Sequence, residues 1–220
     1  MPRITPLEYE EMPAEARQAH DGHLRIGRIT NMKRTLLNSV PAFDALMTWY
    51  ALRDTVQPFL GDRLTTLFAH AVSSETDCLI CSTFFRRILI DSGENPDALD
   101  MDCREASVVA FGRALAQTPH RVDDATYSCA AAYFDAQQMV ALTAFGALMV
   151  ATNVINNVLQ VPLDDYLQPY RKPETVRMSG TTIRSDDLPP PGALPDPEAE
   201  AHFRDFYRLI DPKTGEDANG

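Results

Sequence analysis

Apolar residues recur every three to four positions along most of the chain, and no stretch alternates with period two between hairpin turns. The pattern predicts an all-α protein without strands. A first helix is expected from about Pro13, a residue suited to a first turn, to Gly22 or Gly27. Short helices follow over Met32 to Leu37 and Ala42 to Gln57, the latter stopped by Pro58. After Gly61, one helix face carries Leu64, Leu67, Phe68, Ala71 and Val72 and should end near Ser73-Ser74. Asp77 is a competent N-cap for a largely buried helix from Cys78 to Ile90, closed by Ser92-Gly93.

Asn95-Pro96 marks a turn, and a helix from Arg104 to Gln117 is stopped by Thr118-Pro119. Two more helices are expected over Val122 to Ala132 and Ala136 to Leu159. The last is apolar on most faces, as a central helix would be. From Tyr166 the composition turns polar and proline-rich, with Pro189-Pro190-Pro191 at its centre. Residues 1–167 are therefore expected to form one helical domain, and 168–220 an arm ending in a short amphipathic helix. In that arm Phe203, Phe206, Tyr207 and Ile210 make an apolar stripe, expected to dock on a second copy in a homo-oligomer.

Charge narrows the partners. The 31 acidic residues outnumber the 20 basic ones, and a net charge of −11 should repel phosphate backbones and anionic lipid, so neither nucleic acid nor membrane is expected as a partner. The first residues lack the apolar core of a signal peptide, and the apolar run from Met139 to Val150 is short for a bilayer span; a cytoplasmic protein is the expectation. Four cysteines, of which only two are close, do not form the framework of a small secreted domain and suit a reducing compartment.

The close pair is Cys78-Leu79-Ile80-Cys81. This spacing puts two thiols one helical turn apart at a helix start, where free N–H groups and the helix dipole favour a thiolate, so the pair can cycle between dithiol and disulfide. The same spacing serves zinc, but no second pair of ligands stands at the required distance, so neither metal nor cofactor is expected. Cys103 and Cys129 read as small core residues. His20 and His23 read as a solvated helix end rather than a metal pair, and Arg86-Arg87 as a charged helix edge.

The stretch from Arg63 through the C-x-x-C to Gly93 resembles the core of the alkylhydroperoxidase D-like (carboxymuconolactone decarboxylase) superfamily. The segments Glu105 to Leu115, Val122 to Asp124, Gln138 to Leu142 and Asn153 to Pro162 resemble its remaining helices in order. The resemblance covers roughly Met32 to Leu167. It implies an oligomeric all-helical fold and thiol-dependent reduction of hydroperoxides, in which the second cysteine, Cys81, attacks and the first, Cys78, resolves. It also implies a proton relay of His and Glu at positions held here by Phe85 and Thr66. Loss of such a general base costs about two to four orders of magnitude in rate.

Two residues are candidate substitutes. His70 lies one turn beyond Thr66 on the same helix, and Glu75 precedes the cysteine helix. The expected function is thus thiol–disulfide exchange with weak peroxidase activity on a small hydroperoxide, fed by an external thiol reductant. The expected site is Cys81, Cys78, His70 and Glu75. The alternatives are a non-catalytic structural member of the superfamily and a lactone decarboxylase-like lyase, the latter without an obvious basic cluster to hold its substrate.

Overall fold

The computed structural model describes residues 2–172, and the described residues form nine α-helices and no strand. In order these are α1 (Ala14–His23), α2 (Asn31–Leu36), α3 (Val40–Met47), α4 (Trp49–Leu60), α5 (Asp62–Glu75), α6 (Leu79–Asp91), α7 (Cys103–Ala116), α8 (Asp124–Ala131) and α9 (Ala136–Leu159). The aromatic stripe expected over Phe203 to Ile210 lies outside the described residues.

Side-chain caps explain several starts. Asp102 with Glu105 and Asp135 with Gln138 form reciprocal capping boxes on α7 and α9, and Asp123 accepts the Thr126 N–H at the head of α8. Three boundaries differ from the sequence expectation. The predicted Ala42–Gln57 helix is two helices, divided at Thr48, whose hydroxyl donates to the Ala45 carbonyl at 2.6 Å. Pro58 does not stop α4; the helix continues to Leu60 and ends at Gly61, whose φ of 79° no L side chain adopts readily. Asp77 does not cap α6 either: it sits at φ 55°, and Cys78 takes the N-cap position.

Helix α5 is the hub, packed on α4, α6, α7 and α9. Its Phe68 lies between Phe111 of α7 and Phe145 of α9, at ring-centroid distances of 6.5 and 5.9 Å. That approach requires Gly112 and Gly146, since a Cβ on either would stand 2.9 Å from the Phe68 ring. A smaller cluster of Met12, Ala16, Leu36, Leu37, Phe43 and Leu46 closes the other end. After α9 the chain crosses back in a 3-10 turn (Asp165–Tyr170) that packs on α6, where the Tyr170 hydroxyl donates to Asp91 at 2.9 Å.

By length and composition α9 could cross a membrane, unlike the shorter run its sequence suggested, yet one of its faces packs in the core. Its opposite face is apolar and open: Val140, Ala144, Ala147, Ala151, Val154 and Val158 are exposed, Val140 to 70%.

Candidate redox site

The two helices α5 and α6 meet in a tight turn, and the cysteines lie at its exit. Cys78, at the N-cap of α6, is wholly buried, and Cys81, one turn on, is 8% exposed. Both are free thiols. Helix α9 fixes this corner with three asparagines. Asn153 donates to Ser73 and Thr76 at 3.4 and 2.7 Å, and Asn157 donates to the Thr76 carbonyl at 2.9 Å. Asn156 donates to both sulfurs, at 3.4 Å to Cys81 and 3.7 Å to Cys78.

Those donors set the acidity. The Cys81 thiol, Asn156 and the backbone N–H groups of Cys81 and Ile80 favour the Cys78 thiolate, and together they outweigh burial and bring Cys78 down to about 7. The bond to Cys78, then burial, then the neighbouring negative charge push Cys81 up. Above about pH 7 these shifts favour one negative charge on Cys78 and one proton on Cys81. Alkylation of the native dithiol should therefore rise with pH and level off with a midpoint near 7, below the roughly 8.5 of an ordinary thiol. Asn156→Leu should move that midpoint up by about one unit; an unmoved midpoint would show that the carboxamide does not stabilise the charge.

Cys81 opens onto a cavity of about 280 Å³. Aromatic rings make much of its wall: Trp49 and Tyr50 from α4, Phe84 and Phe85 from α6, and Tyr166. Phe85 occupies the position where the resemblance implies a histidine, and it is buried against Phe84 with ring centroids 5.1 Å apart. Thr66, at the implied glutamate position, is fully buried and its hydroxyl donates to the Asp62 carbonyl at 3.0 Å.

The structure does not bring the two proposed substitutes to this cavity. His70 does not line it, and the charges facing His70 are Arg86, Arg113, Asp97 and Lys172; burial first, then the two arginines, lower it to about 4. Glu75 is the last residue of α5 rather than part of a loop, is exposed, and accepts from Gln117 at 3.1 Å.

His23 is not solvated as expected: it is buried, with the Phe43 and Tyr50 rings at 5.4 and 5.3 Å, while His20 pairs with Asp21 at 2.9 Å. Cys103 is buried and Cys129 half-buried. Arg86 grips Asp97 through two bonds of 3.0 and 2.6 Å.

Sequence reasoning missed the charged part of the cavity wall. Lys33 of α2 is 5% exposed, and its ammonium donates to the Arg28 carbonyl at 2.5 Å and to the Tyr50 hydroxyl at 2.9 Å. Burial lowers it to about 7, against the pull of Asp164. Arg53 of α4 is also buried and lies over the Trp49 and Tyr50 rings. The only signal for Asn156 was its occurrence with Asn153 and Asn157 in an otherwise apolar helix.

The arrangement of helices is matched by solved structures. The apo debrominase Bmp8 superposes with a TM-score of 0.60 at 18% identity, over 76% of this chain and 95% of that one. The alkylhydroperoxidase AhpD core of an uncharacterized peroxidase-related protein from Ralstonia eutropha JMP134 gives 0.58 at 18% identity, over 76% and 94%. The chain has the alkylhydroperoxidase D-like fold. A third structure with that fold, a cysteine-to-alanine variant of Bmp8 in complex with 2,3,4-tribromopyrrole, gives 0.60 at 17% identity, over 76% and 94%. No protein-family model and no curated protein matches the sequence.

Proposed function

We propose that this chain is a thiol–disulfide oxidoreductase that reduces a small electrophile, a hydroperoxide in the first instance, through Cys81 and Cys78. The observation that carries the reading is a reduced pair bound to one carboxamide, with one sulfur on the wall of an aromatic-lined cavity.

Because Cys78 is sealed off and Cys81 faces the cavity, Cys81 is the attacking sulfur. Its proton passes to the Cys78 thiolate, the base that stands in for the absent relay. Cys81 then attacks the distal peroxide oxygen, the S–O bond forming as the O–O bond breaks, and the displaced alkoxide takes the proton held by Cys78 to leave as an alcohol. The resulting sulfenic acid on Cys81 is attacked by Cys78, forming the S–S bond and releasing water. An external dithiol returns the pair to the reduced state by exchange, which suits a compartment rich in such reductants, the cytoplasm. Adding one equivalent of peroxide and mapping disulfides by mass spectrometry should find Cys78 joined to Cys81. A pair that stays reduced while Cys103 or Cys129 oxidises would overturn the reading.

The aromatic wall favours one further electrophile. A halogenated ring could be reduced by the same dithiol, the carbon–halogen bond being replaced by carbon–hydrogen while the pair becomes a disulfide and halide leaves. The neighbour bound to tribromopyrrole has the same fold.

The working form is proposed to be a homo-oligomer joined through the open face of α9. The stripe from Val140 to Val158 is about 27 Å long at 1.5 Å per residue, and a contiguous exposed apolar face is the kind of surface that marks an interaction site. Its alanines allow close approach by the same helix of a second copy. Val154→Lys should reduce the mass in solution to that of one chain. If the mass holds for this variant but falls when the chain is cut after Pro189, the arm and not α9 joins the copies.

A further inference from the structure

We propose that the cavity beside Cys81 takes a small planar ring carrying one negative charge, with Lys33 and Arg53 as its anion-binding groups and Trp49 and Phe84 among the walls that contact the ring. The inference rests on reading this cavity as the substrate site of the redox pair.

Charge is the first argument. The chain as a whole carries −11, yet the cavity wall draws on four cationic side chains, Arg28, Lys33, Arg53 and Arg87, against one carboxylate, Asp164; Arg53 also pairs with Asp54 at 2.8 Å and Arg87 with Asp91 at 3.0 Å, so the wall and these partners together still carry one net positive charge. Such a reversal of sign inside a partly enclosed cleft concentrates the field on an anion. Arg28 and Arg87 are held at the Tyr166 ring, at 4.5 and 5.2 Å, which leaves Lys33 and Arg53 nearer the aromatic interior formed by α4.

The polar groups left over point the same way. Lys33 commits two of its three ammonium protons, to Arg28 and Tyr50, and makes no ion pair within the described residues, so one donor remains for a ligand. A buried ammonium with no direct ion pair, only the more distant pull of Asp164, is costly to keep, and an anionic occupant is the partner that would offset the cost. Asp164 accepts the Asn31 N–H through one oxygen, and its other oxygen, buried, has no partner. Burial raises its pKa, while the Asn31 N–H and then Arg34, Arg28 and Lys33 favour its charged form.

Size and shape complete the class. About 280 Å³ is at the small end for organic ligands, whose sites run from roughly 300 Å³ upward. One ring with few substituents fits; a long acyl chain does not.

Trp49 is the chain's single tryptophan and lines the cavity, so its fluorescence reports occupancy directly. The test is a titration of benzoate, and of its neutral isostere benzamide, into the Cys78→Ser, Cys81→Ser protein, in which redox chemistry cannot contribute. Benzoate should give a saturable change and bind about tenfold more tightly than benzamide. Lys33→Met and Arg53→Gln should each remove most of that preference, read as the ratio of benzoate to benzamide affinity. Equal affinities, or no saturable response to benzoate, overturn the inference. Benzoate binding in a protein whose native thiols ignore peroxide would sink the redox reading and leave this one standing; the converse result would do the opposite.

Discussion

Cys81→Ser should lower peroxide consumption by the reduced protein at least about a hundredfold, and Cys78→Ser should not be its equivalent. The cavity reaches the sulfur of Cys81, whereas Cys78 is wholly buried behind it. With Cys78 replaced, Cys81 loses both the sulfur that accepts its proton and the sulfur that resolves it. It should still react, more slowly, and stop as a sulfenic acid that dimedone captures. With Cys81 replaced, the acidified Cys78 remains, bound to Asn156 but screened from the cavity, and no adduct should form on it. Dimedone labelling of the two variants after one equivalent of peroxide reads the order of events. A label on Cys78 in the Cys81→Ser protein would reverse the assignment, making the low-pKa sulfur the nucleophile despite its burial.

The parts of this site that could be read from sequence are those adjacent in the chain. Cys78 and Cys81 declare themselves because three residues on a helix make one turn, and the helix carrying them is legible from its apolar spacing; the side-chain caps of Asp102, Asp123 and Asp135 on α7, α8 and α9 emerge only in the structure. Asp77 is the one residue that reads as a cap from the sequence. Its positive φ belongs to the abrupt α5–α6 turn, a property of how two helices meet and not of either one.

Asn156 was out of reach for a similar reason, since it stands 78 positions from Cys78 and only the packing of α9 on α6 joins them. Lys33, Trp49 and Arg53 come from two short helices with no motif, and α2 and α4 converge only in three dimensions. His70 illustrates the opposite error. No residue of α5, Thr66 included, lines the cavity, and His70 lies among Arg86, Arg113 and Asp97 instead. The acidic composition also pointed away from an anion site, because a net charge of −11 averages over the surface and hides four cations gathered at one cleft.

Lys33→Met should make the protein more stable, and by an amount that depends on pH. The folded-state pKa of Lys33 is lowered from 10.5 to about 7 by burial. Below pH 7 the ammonium is charged in both folded and unfolded chains, and the folded protein bears the full desolvation cost. As pH rises from 7 to 10.5 the folded chain loses the proton first, so the cost declines, and above 10.5 it is gone. A displacement of this size corresponds to a few kcal/mol, on the order of 3–5 by the usual 1.36 kcal/mol per unit. The bonds to Arg28 and Tyr50 return part of it. Methionine has a similar length, fills the same space and leaves no charge to bury. The melting temperature should therefore rise by several degrees at pH 6 and by much less at pH 9.5. His70 is present in both proteins and cancels in the comparison, whereas His23 is lowered first by burial and then by the Lys33 charge, so losing that charge relieves His23 and adds to the gain at pH 6. A variant less stable at pH 6 would mean that Lys33 holds the fold together. A stabilised variant that no longer prefers benzoate would show that the chain keeps a costly buried charge for the sake of what it binds.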